Sequence, residues 1–256
     1  MFKKDKLKLQ GSKVITFVGA RGGCGTSTIA INTAVQFAKS GKYVLYIDGD
    51  LYSPTAYLYF GVNPDKIDTK LIQSLRQGIS LGDIILPTEN KKVKLVSESP
   101  YAAYASLGDA NHEATLKLIE KASENFDITI IDAPSYYLSE FTIAGIERSD
   151  EVIIVTDSDI KSIVNINKMK DFAYNLSGVN KINNIIVNKA TSRTFNKETL
   201  NDIGVNLLFT QYYSEHLYSA SNNQSVIVNN PSMALKREVQ EFITNINSLV
   251  SHICNK

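Results

Sequence analysis

The chain has 256 residues, with 27 Lys and Arg against 26 Asp and Glu and a formal net charge of +1. Hydrophobic residues make up 43% and charged residues 21%, a globular balance that excludes wholesale disorder and fibrous classes. Near-neutrality argues against coating nucleic acid by bulk charge while leaving local basic patches open, and no run approaches the roughly 18 apolar residues of a membrane-spanning helix.

In chain order, Met1 to Lys13 carries five Lys. The apolar stretch Val14–Ala20 that follows is too short for a secretory leader, and a Gly-rich loop stands where a cleavage site would be. Residues 1–12 therefore read as a basic tail. Short runs rich in Val and Ile at Val14–Val18, Tyr43–Ile47, Val93–Val96, Ile128–Ile131, Val152–Thr156 and Ile182–Val187 predict buried strands. Helical patterns at Ser27–Ser40, His112–Asn125, Ile160–Asn175 and Asn196–Ile203 lie between and after them. This alternation predicts an α/β three-layer sandwich with a mostly parallel sheet over residues 13–256. A last helix is expected after Pro231, with Ser232 as N-cap and Leu235, Val239, Phe242, Ile246, Leu249 and Ile253 on one stripe. Its polar face, Lys236, Arg237, Glu238 and Glu241, is nearly balanced, which favours docking onto the sheet over lying on a membrane. Cys24 and Cys254 are far apart and fit a reducing cytosol rather than a disulfide framework. His112, His216 and His252 show no metal-ligand spacing.

The most informative segment is Gly19-Ala20-Arg21-Gly22-Gly23-Cys24-Gly25-Thr26-Ser27-Thr28. It follows a predicted strand and opens a predicted helix, the context a phosphate-binding loop requires. Glycines let successive backbone N–H groups converge on phosphate oxygens, and the helix dipole adds to that field. Ser27 falls where a hydroxyl would ligate Mg²⁺. Cys24 fills the variable position as a small residue that fits.

The segment resembles the deviant Walker A loop of the ParA/MinD family of P-loop ATPases, whose pattern is Lys-Gly-Gly-x-Gly-Lys-Ser/Thr. Two positions depart from it: the family's signature lysine is Arg21, and its Walker lysine is Thr26. The Gly-Thr-Ser-Thr ending looks like the CpaE/TadZ branch of pilus-assembly proteins. The resemblance implies a P-loop NTPase fold of the SIMIBI type, with ATP and Mg²⁺ as ligands. It implies contacts to nucleotide from Gly22, Gly23, Cys24, Gly25, Thr26, Ser27 and Thr28. Arg21 takes the position that reaches across an ATP-dependent homodimer to the partner's phosphates, where its planar fork suits phosphate. Thr26 can donate a hydrogen bond but no charge, so binding should survive better than turnover.

Other motifs extend the match over roughly residues 13 to 250. Val44-Leu45-Tyr46-Ile47-Asp48-Gly49-Asp50 looks like the family's Asp-x-Asp element, with Asp48 near Mg²⁺ and Asp50 at the water-activating position. Phe126-Asp127-Ile128-Thr129-Ile130-Ile131-Asp132-Ala133-Pro134 resembles Walker B, which assigns Asp132 to Mg²⁺. The family's glycine after this proline is replaced by Ser135-Tyr136-Tyr137. Asp127, at the strand's start, is read as structural. Ile185-Ile186-Val187-Asn188-Lys189 resembles the strand-Asn-Arg/Lys element whose Asn, here Asn188, contacts adenine.

Three functions follow from the resemblance. The first is an ATP-dependent switch with weak or absent turnover, positioning or assembling a pilus or secretion machine through protein partners at the inner face of the membrane or a cell pole. The second is a DNA-partition ATPase, for which Lys161, Lys168, Lys170, Lys181, Lys189, Arg193 and Lys197 form a basic-leaning stretch. The third is a membrane-cycling regulator like MinD, against which the balanced last helix speaks, although the Lys-rich tail suits anionic lipid. A cytoplasmic protein is expected in each case, and the near-neutral charge favours the first.

Overall fold

The computed structural model describes residues 11–67, 71–77, 80–102, 111–191, 202–230 and 235–255. The basic tail up to residue 10 and most of the helix expected at 196–203 lie outside the described residues. The expected strands are present, several of them extended at their ends. They are β1 (Lys13–Gly19), β2 (Val44–Asp48), β4 (Val93–Val96), β5 (Ile128–Ala133), β6 (Glu151–Thr156) and β7 (Ile182–Ala190). Two further strands, β3 (Leu86–Pro87) and β8 (Asn206–Tyr212), complete an eight-stranded sheet in the order β3-β4-β2-β5-β1-β6-β7-β8. All pairings are parallel except β3 with β4.

The central strands are apolar at nearly every position because both sheet faces are covered. On β1, Ile15 and Phe17 face one core while Val14 and Val18 face the other. The first core is roofed by α1 (Thr26–Lys39), α8 (Glu215–Asn222) and α9 (Arg237–Cys254). The second lies under α5 (His112–Asn125), α6 (Glu140–Arg148) and α7 (Ile160–Ser177), with α3 (Leu71–Gln77) beside them. Short helices α2 (Ala56–Tyr59) and α4 (Leu81–Ile84) fill the connections. Helix ends follow side-chain chemistry: Asn111 accepts from Ala114 N at 3.2 Å, Asp159 accepts from Lys161 N at 2.9 Å, and Gly178 closes α7 at φ 71°.

The last helix docks as expected, burying Val239, Phe242, Ile246, Leu249, Val250 and Ile253 against α1 and β8. Its start differs from the expectation. The helix begins at Arg237 with Lys236 in the cap position, and Ser232 lies outside the described residues. Leu235 precedes the first turn and stands 85% exposed, so it leaves the buried stripe. The elements unforeseen from sequence (α2, α3, α4, α6, α8, β3 and β8) are short, or half exposed at the sheet edge, where periodicity is weak.

Helices α5 and α6 are braced by His112, whose ring nitrogens meet Glu140 and Glu147. Burial lowers the imidazole's pKa, but the hydrogen bond and charge of Glu140, reinforced by Glu147, outweigh it and raise the group above 6.5. The charged form is the one the fold favours. Its contribution is complete below the unfolded value of about pH 6.5 and disappears as pH rises through the raised folded value. The ring is part exposed, so we expect unfolding stability in urea to fall by under about 1 kcal/mol across that window. His112→Gln should flatten the slope, and an equal slope in both proteins would remove the brace.

Candidate functional site

Parallel pairing brings the C-terminal ends of β1, β2, β5, β6 and β7 to one edge of the sheet, where α/β folds hold their ligands. The Gly-rich loop leaves β1 there and runs into α1. Gly25 sits in the N-cap position at φ 90°, and no side chain caps the helix start. The first-turn N–H groups are thereby presented to an anionic acceptor. A Cβ at Gly25 would lie 2.4 Å from Asn188 Nδ2, so only glycine fits both the backbone and the contact. Asn188 donates that Nδ2 to Cys24 O at 2.8 Å, and Lys189, itself at φ 53°, donates Nζ to Gly23 O at 2.6 Å. The end of β7 thus clamps the loop at the end of β1.

Cys24 is buried, its thiol bonded to the Arg21 carbonyl, and burial pushes its pKa up. It is a packing residue, not a reactive thiol. The Thr26 hydroxyl turns back over β1, close enough that a Cβ on Gly19 would meet it at 2.7 Å. Arg21 forms an ion pair with Asp157 at the end of β6. Burial pushes Asp157 up, but hydrogen bonds from Ser162 and Arg21 prevail and hold its carboxyl below the usual range. Asn165 on α7 donates to Ala20 O at 3.0 Å and steadies the loop's first residue.

The cleft below the loop is lined by Thr26, Ser27, Asp50, Asp132 and Ser135, with Arg21 and Lys189 at its rim. Ser27 and the buried Tyr46 both hydrogen-bond the Asp132 carboxylate, the phenol at 2.7 Å. Burial pushes Asp132 up to about 6 against these two donors. Asp48 stands in register with Asp132 on the neighbouring strand. Burial and then the charge of Asp132 push Asp48 up to about 7, against N–H groups of Ala56, Thr55 and Asp50. Its two oxygens hold the backbone that follows β2, and Asp48 lies behind the cleft rather than in its lining. Asp50 faces the cleft, with Oδ1 accepting from Tyr52 N at 3.2 Å and Ser53 N at 3.0 Å. Ser27 and Asp132, adjacent hard oxygen donors at a phosphate loop, fit a Mg²⁺ ion.

A second cavity adjoins the cleft beyond Lys189, walled by Thr28, Asn188, Tyr212, Tyr213, Leu217 and Tyr218. Tyr213 and Tyr218 rings lie 6.3 Å apart. Thr28 Oγ1 meets Ser221 Oγ at 3.1 Å, and Tyr59 OH donates to Ser221 O at 2.8 Å, tying α1, α2 and α8 together behind this cavity.

The profile of the AAA_31 family, an AAA domain, matches residues 12–188. The chain belongs to this family, of the ParA/MinD type of P-loop ATPases. An uncharacterized ATP-binding protein of Methanocaldococcus jannaschii is 28% identical over 197 residues, covering 74% of this chain and 70% of that one. Two further ATP-binding proteins of that organism are matched over 59% and 52% of their own length. Among solved structures, the cell division ATPase MinD of Pyrococcus furiosus superposes with a TM-score of 0.79 at 20% identity, covering 94% of this chain and 99% of that one. The septum site-determining protein MinD of Pyrococcus horikoshii complexed with Mg-ADP gives 0.77 at 19%, covering 94% and 96%. At these identities the structures demonstrate a shared fold.

On this ParA/MinD-type scaffold Arg21, Gly22, Gly23, Gly25, Thr26, Ser27, Thr28, Asp50 and Asp132 line one cleft and Asn188 the cavity beside it, while Cys24 is packed beneath the loop and Asp48 stands behind the cleft. Asp127 is structural, accepting from Tyr43 N at 2.8 Å. Tyr46, Asp157 and the ammonium of Lys189 were not singled out from sequence for the roles they take. A phenol inside the apolar run Val44–Ile47 is the signal that points to Tyr46, since a buried phenol must find a partner. Burial and the charges of Asp132 and Asp48 push this phenol well above 10, so it stays a donor. Tyr46→Phe should therefore leave a buried carboxylate short of one hydrogen bond. We expect a loss of about 1–3 kcal/mol in denaturant titration, and an unchanged midpoint would show that the bond contributes nothing.

Proposed function

We propose that the protein is an ATP-binding dimerisation switch with weak turnover, acting in the positioning or assembly of a membrane-associated machine of the pilus or secretion kind. The observation that carries this reading is Thr26 in the place of a phosphate-loop lysine, within a cleft whose other groups are arranged for nucleotide. Backbone N–H groups of the loop and the start of α1 bind phosphate oxygens. Ser27 and Asp132 would hold Mg²⁺, which would supply charge neutralisation at those oxygens. Asp50 orients the attacking water. The tyrosine-lined cavity beyond Lys189 takes the adenine, stacking it on aromatic faces. Thr26 brings no cation to the transferring phosphoryl group, so the chemical step is slow while the bound state persists. Arg21 exchanges Asp157 for the partner's phosphate when two protomers face each other.

Protein partners are favoured by exposed apolar side chains just after Ser135 and in the first turns of α7. Tyr136, Leu138, Ile160 and Val164 are 62%, 52%, 68% and 53% exposed, a composition suited to protein interfaces. The basic stretch supports a DNA reading less well. Lys170 and Lys181 each donate to backbone carbonyls and Lys189 turns to the cleft, leaving Lys161 and Lys168 exposed, and Arg193 and Lys197 lie outside the described residues.

Two measurements test the reading. Light scattering should give a dimer with ATP·Mg²⁺ and a monomer with ADP, and Arg21→Ala should abolish that dimer. Thr26→Lys should raise turnover by up to about 10³-fold with a smaller change in ATP affinity. Brisk hydrolysis by the native chain, or a size blind to nucleotide, would overturn the proposal.

A further inference from the structure

The cleft of a protein that lacks its loop lysine must find positive charge elsewhere or bind polyphosphate through backbone dipoles alone. Its lining carries two cationic side chains, Arg21 and Lys189. The charge of Arg21 is offset by Asp157, in an ion pair that also depresses the Asp157 carboxyl. Lys189 differs. Its ammonium is held at 2.6 Å by a neutral acceptor, Gly23 O, and among the described residues it pairs with no carboxylate. A carbonyl anchors the ammonium without cancelling its charge.

Position reinforces this. Lys189 lines both the phosphate cleft and the tyrosine-walled cavity, so it stands at the passage between them. Any ligand with its base in one and its phosphates in the other passes this ammonium. The residue is held there by a backbone conformation unusual for a side-chain-bearing residue, φ 53°. Its ε-carbon lies 3.7 Å from where a Gly25 Cβ would be, against the turn that starts α1. Lysine's long stem lets the ammonium leave one oxygen for another a short distance away without moving the backbone.

We infer that Lys189 supplies, from the end of β7, the phosphate-binding cation that Thr26 does not supply from the loop. On ligand entry the ammonium moves from the Gly23 carbonyl to a phosphate oxygen. No bond is made or broken; a hydrogen bond to a carbonyl becomes a charge-assisted one to phosphate. The inference rests on the nucleotide-binding reading above and adds to it a phosphate contact from outside the loop.

A mutant cycle tests it. ATP affinity is measured by calorimetry for the native chain, Lys189→Gln, Thr26→Lys and the double variant, with Lys189→Arg as the charge-conserving control. Lys189→Gln should weaken ATP about ten- to a hundredfold, the effect of one charged hydrogen bond, while Lys189→Arg retains most of the affinity. In the Thr26→Lys background the same Lys189→Gln change should cost far less, because the loop then carries its own cation. Thermal unfolding without nucleotide checks that each variant is folded. Should Lys189→Gln prove misfolded, Lys189→Met and the Lys189→Arg comparison carry the test. Native-like affinity in Lys189→Gln, or an equal loss in both backgrounds, overturns the inference and leaves nucleotide binding intact. Failure of the folded native chain to bind ATP overturns both.

Discussion

The contact between Gly25 and Asn188 is the constraint on which the rest of the site depends. A loop that turns N–H groups inward must turn its carbonyls outward, and those carbonyls need partners. Asn188 meets the Cys24 carbonyl and Lys189 meets that of Gly23. The close approach is open only because residue 25 has no Cβ. Strands β1 and β7 are separated by β6 in the sheet, yet their ends are joined through this clamp. The phosphate loop is thus shaped by tertiary contact as much as by its own glycines.

Beneath the loop, the sheet places two carboxylates side by side. Asp48 and Asp132 share a register position on β2 and β5, both buried, and each is pushed up from its ordinary value. Two such groups are tolerated because each is supplied with donors: backbone N–H groups for Asp48, and Tyr46 and Ser27 for Asp132. The arrangement separates their work. Asp48 fixes the chain after β2, which carries Asp50 into the cleft, while Asp132 keeps an oxygen set beside Ser27 suited to a hard cation.

Charge around the cleft is distributed unusually for a phosphate loop. The loop itself holds one cation, Arg21, already matched by Asp157, and a neutral Thr26 whose hydroxyl faces β1. The remaining cation arrives from another strand. A net charge of +1 conceals this completely, because what acts on a phosphate is the local arrangement of individual groups within a few ångströms.

Much of this was legible in the linear chain. The buried strands announced themselves because a parallel sheet covered on both faces demands continuous apolar runs. The glycine pattern between the first strand and helix declared a phosphate loop, because so few residue types tolerate that backbone. The acidic residues closing β2 and β5 were legible for the same topological reason: parallel strands deliver their last residues to one edge. The short elements α2, α3, α4, α6 and α8 and the edge strand β8 were not, since segments this short offer too few repeats to show a clear period. Nor did a stripe that included Leu235 reveal that the last helix starts at Arg237. The partner of each polar group was decided only in three dimensions. That Tyr46 would serve Asp132, that Asp48 would stand behind the cleft, that Asp157 would hold Arg21 and that Lys189 would reach the loop depend on register and side-chain reach across strands far apart in the chain. Local propensity carries no information about either.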